Sequence, residues 1–277
     1  MAYSIVDPQA GIVNLYDADP VGPGPFNLAG GGVTLGRESF YFQKVKAVDP
    51  ILGGGEFIYA KNSTANGAGQ TISSATTAAG TSIATVTTAS AHGLQPGAMV
   101  IMAGQVPSGY VGTWKVLTVP STTTFTIDHG STNLGALTTV GTYTYGVIQP
   151  SSLVSFSNAI TSGLAIVSAG LAASTASTGT TLGFALIGLL NGQWGWFQVG
   201  GVAVATISAG TPASADPVYL GTAGKVTPTQ ANGKQIINAQ FAAAVSQTLG
   251  SGSAAVTLTS TQALVLINNP CTQSQVV

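Results

Sequence analysis

Trp194-Gly195-Trp196-Phe197-Gln198-Val199-Gly200-Gly201-Val202-Ala203-Val204-Ala205 is the stretch that decides the fold class. Aromatic and β-branched residues favour extended backbone. A glycine pair inside such a run marks a bulge or a bend, so the stretch reads as strand, bulge, strand. Downstream, Asp216-Pro217-Val218-Tyr219-Leu220 and Lys225-Val226-Thr227-Pro228 flank Gly221-Thr222-Ala223-Gly224 as a hairpin with a four-residue loop. Ile236 to Phe241 and Ala263 to Ile267 add two strands. Upstream, Phe40 to Val48 and Glu56 to Ala60 form a second hairpin, turned by Asp49-Pro50 and Gly53-Gly54-Gly55. The expected class is all-β, a β-barrel or β-sandwich.

Between these segments lies a separate module. Residues 83–88, 99–102, 112–119 and 124–128 read as four short strands, with turns at Gly93, Pro96-Gly97, Pro107-Ser108-Gly109 and Pro120-Ser121. That spacing predicts a small sandwich or barrel, an inserted sandwich-like domain with its core at 83–145. Residues 62–82 hold mainly Asn, Ser, Thr, Ala and Gly and read as a linker.

Composition narrows the function. Seven basic and eight acidic residues make 5% of the 277-residue chain charged, against about 25% in an ordinary domain. Seven scattered cations cannot neutralise many phosphates, so a nucleic-acid partner is not expected. The apolar run Phe184 to Leu190 is too short to span a bilayer, so no membrane partner is expected. The N-terminus lacks a basic start and apolar centre, and a single cysteine, Cys271, allows no internal disulfide. Ten of the charges fall in residues 1–61. Pro20, Pro23 and Pro25 among glycines exclude a helix or central strand over residues 17–36. Residues 1–36 read as an extended arm laid on a partner, or as a loop wrapped on its own domain. Tyr3, Tyr16, Phe26, Phe40, Tyr41 and Phe42 are the candidate contact residues of that arm and the first hairpin.

Two resemblances are carried by these motifs. His92-Gly93-Leu94, Pro96-Gly97, Tyr110-Val111-Gly112-Thr113 and Thr124-Phe125-Thr126-Ile127 resemble a small β module of phage structural and tail proteins. Phe42 to Pro50, Gly54 to Tyr59, Gly195 to Ala203, the hairpin at 216–228 and Gly233 to Ala239 resemble tailed-phage capsid decoration, or cement, proteins. The resemblance implies a decoration domain split into 37–66 and 146–277, interrupted by 67–145 at a loop where insertion is tolerated. It also implies a virion protein made in the bacterial cytoplasm. Such a protein binds the outside of an icosahedral shell, has the major capsid protein as partner, and self-associates as a trimer.

A search for chemistry yields no catalytic, cofactor or metal assignment. Gly31 and Gly36 have phosphate-loop spacing, but Arg37 and Glu38 stand where Lys and a hydroxyl are needed. His92 and His129 sit in turns with few carboxylates nearby, and a metal needs three or four ligands. Asp17 and Asp19 read as solvated charges. No Gly-x-Ser-x-Gly elbow occurs, so no enzyme activity is expected. Trp194 and Trp196 alternate at strand spacing, as core or subunit contacts or as a sugar platform. Tyr110 and Trp114 are the candidate exposed aromatics of the module, and carry the alternative function of receptor or glycan binding.

Overall fold

The computed structural model describes residues 44–49, 52–132, 134–161, 164–173, 175, 179–250 and 256–273. Among them the chain is all-β, with one three-residue 3-10 turn, Ser108–Tyr110. Its described residues divide into two compact units: those within 44–63, 151–186 and 192–273, and those within 64–150 with 187–191.

The first unit is built on β12 (Trp194–Thr206). One edge pairs with β2 (Gly53–Asn62), placing Trp196 opposite Tyr59 and Phe197 opposite Ile58. The other edge pairs with β11 (Leu182–Ala185) and then with β18 (Gln262–Thr272). The expected irregularity falls at Val199, because Gln198 faces Phe57 while Gly200 already faces Glu56. The buried Gln198 amide secures this bulge by donating to the carbonyls of Gly200 (3.1 Å) and Val202 (2.9 Å). Gly201 follows at φ +92°, where a Cβ would lie 2.4 Å from the Gly54 carbonyl oxygen. Only glycine allows two backbones that close.

β1 (Lys44–Asp49) forms the expected hairpin with β2, with Lys46 directly opposite Glu56. β9 (Leu153–Thr161) and β10 (Leu164–Leu171) form a hairpin that was not anticipated, since Gly and Ser interrupt its apolar residues. β10 meets β2 in parallel at Ser168–Lys61 and Ala169–Asn62, and β9 pairs with β11. The pairings therefore run β2–β10–β9–β11–β12 and return to β2. β13 (Pro217–Leu220), β14 (Val226–Thr227) and β15 (Gln235–Phe241) extend the sheet beyond β18. β16 (Thr248–Leu249) and β17 (Val256–Thr257) make a separate two-stranded ribbon. Phe184, Ala203, Val218, Ile236, Phe241 and Val265 converge in the core of this unit.

The second unit is a closed six-stranded barrel rather than a sandwich. Its order is β3 (Gln70–Thr77), β4 (Ile83–Thr88), β7 (Thr124–Asp128), β6 (Gly112–Ser121), β5 (Met99–Ala103) and β8 (Thr142–Tyr145). The stretch read as a linker is thus partly a barrel strand. β3 buries Ile72 and Ala75, and a bulge between Ile72 and Ser74 breaks the period-two pattern that would have revealed it. Phe125 and Tyr143 fill the centre with rings 5.6 Å apart. Residues 187–191 also belong to this unit. Leu189 donates its N–H to the Ile148 carbonyl, and the Asn191 N–H reaches Asn66 Oδ1 at 2.7 Å. The longest apolar run, 184–190, is therefore divided between the two units after residue 186.

Candidate functional site

The candidate contact residues Tyr3, Tyr16, Phe26, Phe40, Tyr41 and Phe42, together with the arm at 1–36, Asp17, Asp19, Gly31 and Gly36, lie outside the described residues. The two module aromatics are described, and they correct the expectation of an exposed pair. Tyr110 is 0% exposed. The 3-10 turn that carries it aims the phenol inward, where it donates to the Gly135 carbonyl. Trp114 is half-buried against the barrel core, and its indole N–H donates to the Tyr110 carbonyl at 2.8 Å. Pattern reading missed this because Tyr and Trp flank turns equally well from either side; the ring direction depends on hydrogen bonds to distant residues.

Tyr110 belongs to a directional chain. Because its hydroxyl proton goes to Gly135, Tyr110 accepts from Thr77 Oγ1 at 2.8 Å. The Thr77 hydroxyl proton is thereby used, so Thr77 accepts from His129 Nε2 at 2.8 Å. The remaining ring nitrogen, Nδ1, accepts the Ser131 N–H at 3.4 Å. His129 is thus neutral with its proton on Nε2. In that tautomer the imidazole cannot take the Thr77 proton, so the pair is not arranged as base and nucleophile. Burial lowers the His129 pKa, partly offset by the Asp128 charge. Asp128 is fully exposed; its pKa is lowered first by the Ser82 side chain and then by the Gly130 N–H.

His92 repeats the local geometry. Its Nδ1 accepts the Leu94 N–H at 2.9 Å, as His129 accepts from Ser131. Both turns are His-Gly-X, with Gly93 at φ +62° and Gly130 at φ +71° supplying the left-handed residue. His92 packs edge-on to Phe125, centroids 5.5 Å apart, and its Nε2 has no partner among the described residues. The buried Tyr143 hydroxyl likewise finds none, and burial pushes that phenol's pKa up to about 12. Among the described residues no group of three or more His, Cys, Asp and Glu could hold a metal ion.

Two surfaces remain. Along β3, β4, β7 and β6, cross-strand pairs align Ser74, Thr87 and Thr124 in one row and Thr76, Thr85, Thr126 and Thr118 in the next. This row structure was legible as Thr-x-Thr at 85–87 and 124–126 but was not read. In the first unit, the outward face of β12 and β18 sets Val202 opposite Leu266 and Val204 opposite Leu264. Leu266 is 42% exposed, giving a two-by-two aliphatic block on a face without charges at those positions. Trp196 is buried, and Tyr59 stacks on Trp194 at 5.6 Å and tilts against Trp196 at 5.0 Å. These rings pack on one another rather than forming an open platform. Among the described residues no helix is long and apolar enough to cross a membrane. In comparisons with known proteins, no family model, no curated protein and no solved structure matches this chain.

Proposed function

We propose that this chain is a structural virion protein, without enzymatic activity, that decorates the outside of an icosahedral phage capsid and bridges its major capsid subunits. The observation that carries the reading is the outward aliphatic block of Val202, Val204, Leu264 and Leu266, in which Leu266 is 42% exposed and the other three are partly buried. Aliphatic patches held on a rigid sheet face mark association surfaces. Two further features support it. β1 stands at the end of the strand order among the described residues, the position at which a partner strand would add. It also follows directly on residues 1–43, which hold the aromatic candidates. With 5% charged residues, contacts rest on backbone pairing and apolar burial rather than salt bridges. Trimeric self-association on the particle and synthesis in the host cytoplasm complete the proposal.

The test is purification of DNA-filled particles from cells expressing the chain. The expected result is stoichiometric co-purification, with occupancy and particle thermal stability reduced by Leu266→Asp and by deletion of residues 1–36. Particles that never carry the chain, or full occupancy by both variants, refute the reading. The receptor- or glycan-binding alternative assigned its stacking surface to Tyr110 and Trp114, and the burial of Tyr110 removes half of that surface.

A further inference from the structure

The barrel contains a buried titratable group that capsid binding does not use. His129 is 5% exposed, and its ring is the start of the chain through Thr77 and Tyr110 to Gly135. That chain ties together three segments that are remote in sequence: the end of β3, the 3-10 turn, and residues 134–139. The last of these lies along the barrel. Leu134 packs on Gly109, Ala136 bridges to Thr76, the Leu137 N–H bonds to Ala75, and the Thr138 N–H bonds to Val106.

We propose that His129 is an acid-sensitive latch: neutral, it sits inside and holds the 134–139 segment to the barrel; charged, it swings out and releases it. The geometry supplies the reason. A second proton must go on Nδ1, which faces the Ser131 N–H, so an acceptor becomes a donor pointing at a donor. The charge would also have to stay on a ring that is 5% exposed, where an unpaired ion is costly. The titratable groups that meet the ring are Tyr110, whose centroid is 5.2 Å away, and Asp128. Tyr110 offers a charged ring nothing, because its hydroxyl is occupied by Thr77 and Gly135. Asp128 is fully exposed, so the nearest compensating charge lies outside. Leaving the pocket brings the imidazolium to water and to that carboxylate, and strips Thr77 of its donor.

The direction with pH follows from the lowered folded pKa. The unfolded or opened ring takes the proton first, so closure is complete above the ordinary value of 6.5 and weakens as pH falls below it. The sequence holds two histidines, and ordinary carboxylates, lysines and tyrosines titrate outside pH 5–8. A substitution at His129 therefore shows whether an acid response in that window comes from this ring.

The test uses the full chain. Nitrogen chemical shifts of His129 in the wild type should show the Nε2–H tautomer at pH 7 and a titration midpoint below 6.5. Hydrogen exchange of the 134–139 amides, corrected for the intrinsic pH dependence, should speed up at least tenfold between pH 7 and pH 5. His129→Gln, whose amide can still donate to Thr77 but does not titrate, should abolish that acceleration. An Nδ1–H tautomer, a midpoint above 6.5, or an equal acceleration in the glutamine variant overturns the proposal. The tautomer and midpoint are read on the wild-type chain, so the proposal stays exposed to refutation even where the variant fails to fold.

Discussion

At Gly201 the first unit cannot accept an added atom without moving backbone. Replacing it with alanine would set a methyl 2.4 Å from the Gly54 carbonyl oxygen and 3.1 Å from the Gly55 Cα. Both neighbours are backbone of β2, so no side-chain rotation relieves the contact. The residue also sits at φ +92°, and an L-residue with left-handed backbone costs roughly 1–2 kcal/mol. Forcing a methyl into close-packed structure adds about 1–3 kcal/mol. Gly201→Ala should therefore destabilise by about 2–5 kcal/mol. For a unit of this size that is a fall in melting temperature of roughly 10 °C. Gly54→Ala is the matched control. It changes the same residue type on the facing strand, but its Cβ would meet nothing within 4 Å and its φ is not left-handed. The control should be neutral, or slightly stabilising through a less flexible unfolded chain. Calorimetry on the full chain resolves the effect on the first unit's transition from any on the barrel's. Equal melting temperatures for the two variants would refute the claim that β2 and β12 meet backbone to backbone at this glycine.

Two other perturbations read different parts of the molecule. Gln198→Ala removes both amide donors from the Gly200 and Val202 carbonyls inside the bulge, and should cost about 2–4 kcal/mol in urea unfolding, the penalty for leaving buried polar groups unmade. Tyr143→Phe deletes a buried hydroxyl that has no partner among the described residues, so stability should be unchanged or raised by about 1 kcal/mol rather than lowered. In the wild type the Tyr143 phenol should ionise only near pH 12 in an ultraviolet titration. Because its folded pKa is raised, its contribution is intact below pH 10 and lost as pH rises from 10 towards 12.

Much of the architecture is local and was legible. Strands at 99–103, 112–121, 217–220 and 235–241 carry β-branched and aromatic residues between Gly and Pro turns, and the hairpins close over short loops. The bulge in β12 was signalled by Gly200-Gly201, and the structure moves it one residue, to Val199. β3 was hidden because Thr71, Ser73 and Ser74 look like linker, and only the inward Ile72 and Ala75 betray it. β9 and β10 were hidden because small residues in the run broke any period.

That the chain is all-β with few charges is written in its residues, because strand propensity, turn chemistry and composition are properties of neighbouring residues. Tertiary structure alone decided that the module closes into a barrel and that 187–191 joins it. It also sealed Tyr110 inside and assembled Thr77, His129 and Gly135 into one chain. The Thr77–His129 hydrogen bond joins residues 52 apart and the Thr77–Tyr110 bond residues 33 apart. Such contacts are selected by the packing of the whole barrel, and no local pattern of side chains encodes which distant backbone group a ring will meet.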